Sequence, residues 1–317
     1  MKSIKNLSTN MLIIIAILAI LFLVPLTKDR FLMTTIFTIS IFVTLAEAYN
    51  ILGGYTGYVN FGYAAFYGLG AYVTGIIARS LNISPLYAIP IATLIVAIAS
   101  ALMSVPLLRI KGVYFAIAMI TVNYIFYCLV ILFPEVTGAG VGLVLPPPPP
   151  LELFYYLGLI IMLGTILFVY KLSNSKFGLA FKSIREDEDA AEISGVNTTV
   201  YKVLAFTFSV IPAAITGGII ASYWSYIDPP TMFDIGMSVK IILMVRLGGP
   251  GTIIGPIMGT VVVQLISYAL RYTLAGVLHK VIWGALLAAV VVFLPNGLVE
   301  FIKRAEWIPE EFKRIIA

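Results

Sequence analysis

The chain is divided into apolar runs of about twenty residues, separated by short polar connectors. Wound as an α-helix at about 1.5 Å per residue, such a run crosses the roughly 30 Å hydrocarbon core of a bilayer. Peptide groups inside lipid must be hydrogen-bonded within the structure, so a crossing run has to be helical. A transmembrane barrel would instead show alternating segments of about ten residues, and no such segments occur. Charge points the same way. Of 317 residues, 61% are hydrophobic and only 11% charged, against about 25% in a soluble domain, too few to coat a water-exposed surface. The expectation is an all-α membrane protein, a polytopic bundle of about ten transmembrane helices in the cell membrane with the lipid bilayer as its solvent. The net charge of +5 is spread over connectors and tails without an aromatic-interleaved basic patch, which argues against a nucleic-acid partner.

The predicted spans are 11–27, 31–52, 61–79, 85–108, 113–133, 153–171, 201–225, 235–248, 253–274 and 277–295. The first follows Lys2 and Lys5 and lacks a small-x-small cleavage site, so it reads as an uncleaved span. Two others invite a broken or re-entrant form. Residues 53–70 carry Gly53, Gly54, Gly57, Gly62, Gly68 and Gly70, and the span 235–248 runs into Gly248-Gly249-Pro250-Gly251. Membranes tolerate interrupted backbone only where protein or a water-filled path covers it. With the N-terminus in the cytoplasm, fourteen Lys and Arg residues fall on the cytoplasmic side and five (Lys28, Arg30, Arg79, Arg271, Lys280) outside, with Lys240 left within a span. That bias places both termini in the cytoplasm. The whole of 1–317 then reads as one transmembrane domain with three appendages. These are an outer loop at 134–152 stiffened by the proline run 146–150, a charged cytoplasmic loop at 172–200, and an amphipathic cytoplasmic tail at 296–317.

Chemistry is sparse. No G-x-x-x-x-G-K-[ST] phosphate loop occurs, so the chain has no nucleotide site of the usual kind. His279 is the one histidine and Cys128 the one cysteine. Together they give no metal-ligand cluster and no nucleophile–base pair, and neither catalytic residue, metal nor cofactor is expected. The informative segment is the cytoplasmic loop from Gly178 to Gly195. It reads as a short helix over Asp187–Glu192 stopped by Gly195, presenting Ala190, Ala191 and Ser194 as a small-residue patch flanked by Arg185, Glu186 and Glu188. Small residues permit close docking and the charges set its register; the alternative is an ordinary solvated loop.

Within that loop, Asp189-Ala-Ala-Glu-Ile-Ser-Gly195 resembles the E-A-A-x-x-x-G loop of bacterial and archaeal ABC importer permeases, with Asp in place of Glu. Ile184-Arg-Glu-Asp-Glu-Asp-Ala-Ala-Glu192 followed by Gly195-Val-Asn197 is similar to the LivM-type branched-chain amino-acid permeases. So, in order, are Asn50-Ile-Leu-Gly-Gly-Tyr-Thr-Gly57, Phe61-Gly-Tyr-Ala-Ala-Phe-Tyr-Gly-Leu-Gly-Ala-Tyr72, Lys111-Gly-Val-Tyr-Phe-Ala-Ile-Ala118, Thr137-Gly-Ala-Gly-Val-Gly-Leu143 and Ile242-Leu-Met-Val-Arg-Leu-Gly-Gly-Pro-Gly-Thr-Ile-Ile-Gly-Pro256. The resemblance runs from about residue 45 to 300 and implies a permease working by alternating access. Its implied partners are two ABC ATPase subunits, a second related permease chain and an extracytoplasmic solute-binding protein. It also implies that Arg185, Glu186, Glu188, Asp189, Ala190, Ala191, Glu192 and Gly195 belong to a coupling helix seated in an ATPase cleft. Lys240 departs from the pattern, where an acid is expected, as does Arg246, where a small apolar residue is.

The residues themselves suggest where a solute passes. Polar groups within apolar spans are Glu47, Asn50, Tyr55, Thr56, Asn60, Tyr63, Thr121 and Asn123, and the segment 50–63 is the preferred lining. The bland alternative is hydrogen-bond glue between helices. A charge within a span costs about 2.5–3.5 kcal/mol on insertion scales, so Lys240 should face the interior, with Glu47 as a candidate partner, while Arg246 snorkels to the interface. Rival functions are an importer for urea, short amides or another small polar solute, and an ion-coupled transporter, which would want more intramembrane carboxylates than Glu47 alone.

Overall fold

A computed structural model describes residues 19–273, 281–282, 284–286, 288–290 and 297–304. The expected span 277–295 and tail 296–317 are described only in those pieces, and most of the span 11–27, together with His279, lies outside the described residues. A short 3₁₀ turn at Val24–Thr27 leads into α1 (Arg30–Asn50), whose N-cap Asp29 accepts from the backbone N–H groups of Phe31 and Leu32. The chain continues through α2 (Tyr63–Leu81), α3 (Pro85–Leu107), α4 (Val113–Leu132), α5 (Leu151–Ser173), α6 (Lys176–Glu186), α7 (Glu188–Ile193), α8 (Thr198–Trp224), α9 (Ile235–Gly248), α10 (Ile254–Thr273) and α11 (Gly297–Arg304).

Among the described residues, five helical stretches are long and apolar enough to cross a membrane: Arg30–Tyr55, Pro85–Leu107, Val113–Leu132, Leu151–Ser173 and Thr198–Trp224. A shorter apolar stretch runs from Ile254 to Tyr268. Each carries its backbone bonds internally, as lipid requires. The outward faces of α3, α4 and α5 show the apolar residues a lipid-facing or subunit-facing surface needs, among them Leu94, Leu102, Ile117, Ile160 and Leu167. The protein is thus an all-α membrane protein.

At the centre lies α2, less apolar than the flanking α3, α4 and α8 and largely buried between its neighbours. The glycine-rich stretch does not break it. Its glycines bring backbones together: a Cβ on Gly217 of α8 would collide with the Tyr67 carbonyl oxygen, and one on Gly70 with Ala214. The interruption comes earlier, where α1 relaxes into a π-helical turn at Ile51–Tyr55 and the chain runs non-helically to Asn60. A second interruption lies between α9 and α10, at residues 249–253. The loop 134–150 is anchored by a two-residue antiparallel pairing, Leu143–Val144 with Tyr226–Ile227, and by Ser225 Oγ, which donates to the Pro146 carbonyl at 2.9 Å.

Candidate functional site

The charged loop is two helices, not one. Asp187 leaves the helical region (φ −160°, ψ 114°), and its carboxylate accepts from the Ala190 N–H at 2.9 Å, capping α7 while ending α6. An aspartate does this well because its short side chain reaches the free N–H groups of a first turn. Glu188 and Asp189 then occupy the positive end of the helix dipole. The C-terminal stop is Gly195, with φ +87°, a conformation that suits a residue without Cβ. Ala191 does not belong to an outward patch. It is buried under α7, because a six-residue helix resting on the bundle must turn one side inward. Asp189, Ala190, Glu192 and Ser194 face out with Ile193, which is 89% exposed. Sequence reasoning passed over Ile193, whose only signal was an apolar residue among acids.

The root of α7 is an ionic knot. Glu188 Oε1 accepts from Lys202 Nζ at 2.8 Å, and Oε2 accepts from Tyr58 Oη at 2.7 Å. Lys202 is itself buried and also donates to the Leu108 carbonyl at 2.9 Å. Lys111 lies 3.0 Å from Asp189 and 3.7 Å from Glu188. Burial pushes the Glu188 carboxyl up, but hydrogen bonds from Lys202 and Tyr58 and the charges of Lys202 and Lys111 outweigh it and hold the group below its ordinary value. The knot therefore joins α7 to the start of α8, to the connector before α4, and to the strand of chain after the π-helical turn.

Arg185, on the last turn of α6, turns toward the bundle. Its Nη1 donates to the Gly54 carbonyl at 2.8 Å and to the Pro250 carbonyl at 3.4 Å, one group from each interruption. Between the same two segments stands Asn50. Its Nδ2 donates to the Thr252 carbonyl at 2.7 Å, and its Oδ1 accepts from the Gly251 N–H at 2.8 Å. Neither Gly54 nor Gly251 has room for a side chain there. A Cβ on Gly54 would strike Asn50 Oδ1, and one on Gly251, where φ is +79°, would strike Arg185. Among the described residues, the two broken segments are thus bound to each other and, through Arg185, to the charged loop.

The proposed lining residues separate. Asn50 is spent on that clamp. Tyr63 Oη donates to the Ser209 carbonyl at 2.8 Å, Asn123 Nδ2 to the Phe233 carbonyl at 2.8 Å, and Thr56 Oγ1 to the Leu52 carbonyl of its own segment at 2.6 Å. Tyr55 is buried. Thr121 is no interior residue: it is exposed on the outer side of α4 and bonds the Ile117 carbonyl one turn back. Glu47 and Asn60 are fully buried, and none of their side-chain polar atoms has a hydrogen-bond partner among the described residues. The suggested Glu47–Lys240 pair does not form. Lys240 Nζ donates to Gln264 Oε1 at 2.9 Å and sits 4.5 Å from the centre of the Phe42 ring. Lys240 therefore spends its charge against α10 and an aromatic face instead. Arg246 is half-buried on the last turn of α9.

Residues 31–291 match the family of branched-chain amino acid transport system permease components. The chain belongs to that family. Over 290 residues, 82% of this permease and 68% of the relative, it is 26% identical to the high-affinity branched-chain amino acid transport system permease protein LivM of Salmonella typhimurium, and 25% identical to that of Escherichia coli K12. Over 125 residues it is 28% identical to LivH of Escherichia coli K12 (39% of this permease, 40% of LivH). Over 144 residues it is 30% identical to the autoinducer 2 import system permease protein LsrC of Yersinia pseudotuberculosis (43% and 40%). No solved structure matches. A transport permease subunit is not an enzyme. As a LivM-type permease with five membrane-length apolar helices, the protein is a multi-pass membrane protein.

Proposed function

We propose that this permease is the membrane-spanning subunit of an ATP-binding-cassette importer that moves branched-chain or other apolar amino acids by alternating access. In this reading two separate ATPase subunits drive it, a second related permease chain completes the membrane unit, and an outer solute-binding protein delivers the substrate. The whole chain is one domain of about ten spans with both termini in the cytoplasm. The named relatives support the substrate class, since LivM and LivH are branched-chain amino acid permeases.

The observation that carries the reading is the construction of the charged loop. Helix α7 offers Asp189, Glu192, Ile193 and Ser194 outward, while Glu188 and Arg185 root it in the bundle. An exposed isoleucine ringed by acids is suited to a partner with an apolar notch and basic rim. When the ATPase subunits close on ATP, α7 moves with the cleft that holds it. Through the Glu188–Lys202 pair that displacement reaches α8, and through Arg185 it reaches both broken segments at once. Within the preferred 50–63 lining, Asn60 is buried without a side-chain hydrogen-bond partner among the described residues, as is Glu47 of the wider candidate set, and this reading puts the pathway beside these two.

The test is uptake of labelled leucine into proteoliposomes containing this chain with its sister permease, ATPases and binding protein. The expected result is uptake that needs internal ATP and is abolished by removing the ATPases. Uptake driven by an ion gradient without ATP would overturn the class. ATP-driven uptake of urea or acetamide but not leucine would keep the class and overturn the substrate.

A further inference from the structure

A cavity of about 500 Å³ lies where the chain after the π-helical turn, the start of α4 and the charged loop meet. Its volume falls within the roughly 300–1,000 Å³ of small-molecule sites. Phe61 walls it from the first of these segments, Val113 and Ala116 from α4, and Lys111, Arg185 and Glu188 bring charge to it.

Those charges are unevenly spent. The two oxygens of Glu188 are held by Lys202 and Tyr58, at 2.8 and 2.7 Å. Arg185 is different. Among the described residues, Nη1 alone of its nitrogens has a hydrogen-bond partner, although a guanidinium carries five N–H donors in a fixed fork. Lys111 bonds Asp189 at 3.0 Å, but both groups are exposed, and an exposed pair holds its members weakly. Two cations therefore share a cavity whose lining carboxylate is already paired. The start of α4 adds to the same field. Its N-cap Gly112, at φ +63°, offers no side chain to the first-turn N–H groups, and a Cβ there would meet nothing within 4 Å. The positive end of the helix dipole is thus open beside the cavity.

Apolar surface continues from the cavity along the outside of α4. Val113 is both a lining residue and exposed, and Ile117, Thr121 and Tyr124 follow it on the exposed side at helical spacing. A hydrocarbon chain can lie on that face while its polar end turns into the cavity. We propose that the cavity binds a phosphate-ester anion, the headgroup of an anionic phospholipid from the leaflet on the charged-loop side. Its phosphate sits between Lys111 and the unused donors of Arg185, and an acyl chain follows the α4 face. A guanidinium fork matches two phosphate oxygens, and basic pockets between membrane helices suit such headgroups. The lipid ties the end of α6 to the start of α4 through the residue that clasps both interruptions. Nothing in this depends on which solute is transported.

The test is native mass spectrometry of the purified full-length chain released from nanodiscs that hold equal amounts of dioleoylphosphatidylglycerol and dioleoylphosphatidylcholine. Inorganic phosphate is titrated against the lipid-free chain in parallel. Phosphatidylglycerol should be retained in preference to phosphatidylcholine. Lys111→Gln should lower that retention about fivefold, the worth of one basic residue beside an anionic lipid, and Lys111→Arg should keep it. Ala116→Trp, which fills the cavity from α4, should lower retention comparably and reads the site without altering a charge. Lys176→Gln, at an exposed position of α6 outside the cavity lining, should leave it unchanged; an equal loss there would reduce the effect to general surface charge and overturn the site. Equal retention of the two lipids, or unchanged phosphatidylglycerol in both Lys111→Gln and Ala116→Trp, would overturn it as well. Saturable binding of inorganic phosphate that Lys111→Gln abolishes, with no preference between the lipids, would make the ligand a free phosphate and overturn the lipid.

Discussion

Arg185 and Glu188 lie three residues apart and do opposite work. Arg185 donates from its single Nη1 to two backbone carbonyls in separate segments. Arg185→Met removes a hydrogen bond from a charged donor worth about 1.5–3 kcal/mol. Leucine uptake by the assembled complex should fall about tenfold or more, while ATP hydrolysis by the same preparation continues. A parallel loss of hydrolysis would indicate that Arg185 serves the ATPase contact instead. Glu188 holds a buried lysine. Removing one partner of such a pair leaves an uncompensated charge and costs about 3–5 kcal/mol. Glu188→Gln should therefore lower the melting temperature sharply, and Glu188→Gln combined with Lys202→Met should recover part of the loss. Because the Glu188 carboxyl is held below its ordinary value, the stability it gives is present above the ordinary carboxylate pKa of about 4.3 and is lost only as pH falls through the lower folded-state value. Thermal stability at pH 6 to 8 should consequently not follow the titration of this group.

At the scale of elements, the two interruptions form one unit. The π-helical turn at Ile51–Tyr55 and the loop 249–253 are clasped by the Asn50 amide, whose oxygen and nitrogen each satisfy a backbone group of the facing segment. Asn50→Leu leaves those groups unmet in a buried setting, at about 1–3 kcal/mol each, so the variant should assemble poorly as judged by size-exclusion chromatography. Good assembly with normal uptake would remove the clamp from the argument. Element positions were legible in the sequence because lipid imposes a minimum helix length: Pro85–Leu107 and Val113–Leu132 fall within about one residue of the apolar runs that announced them. The site was less legible. Composition gives which residues are polar, not which neighbour spends the polarity. Asn50 therefore read as lining and proved to be a clamp, Thr121 read as interior and lies outside, and Ala191 read as docking surface and is buried. The split of the charged loop had a local signal, Asp187 as an N-cap residue type ahead of Glu188 and Asp189 in a first turn, but a continuous acidic run masks a cap in its middle.

For the molecule as a whole, orientation decides which compartment the charged loop faces. The proposed topology puts 172–200 in the cytoplasm and 134–152 outside, and α5 lies between the two in the chain. Helix α5 has 23 residues, about 34 Å at 1.5 Å per residue, enough to separate its ends by a full hydrocarbon core. The single cysteine makes this directly testable. In a Cys128→Ser background, Ser194→Cys and Val141→Cys each place one thiol at an exposed position on opposite ends of the bundle. A membrane-impermeant maleimide added to intact spheroplasts should label Val141→Cys and leave Ser194→Cys untouched until the membrane is opened. The reverse pattern would invert the topology, carrying the α7 face out of reach of any cytoplasmic ATPase. Labelling of both positions from one side would place both ends of α5 in the same compartment, which a straight 34 Å apolar helix allows only if it does not span the bilayer.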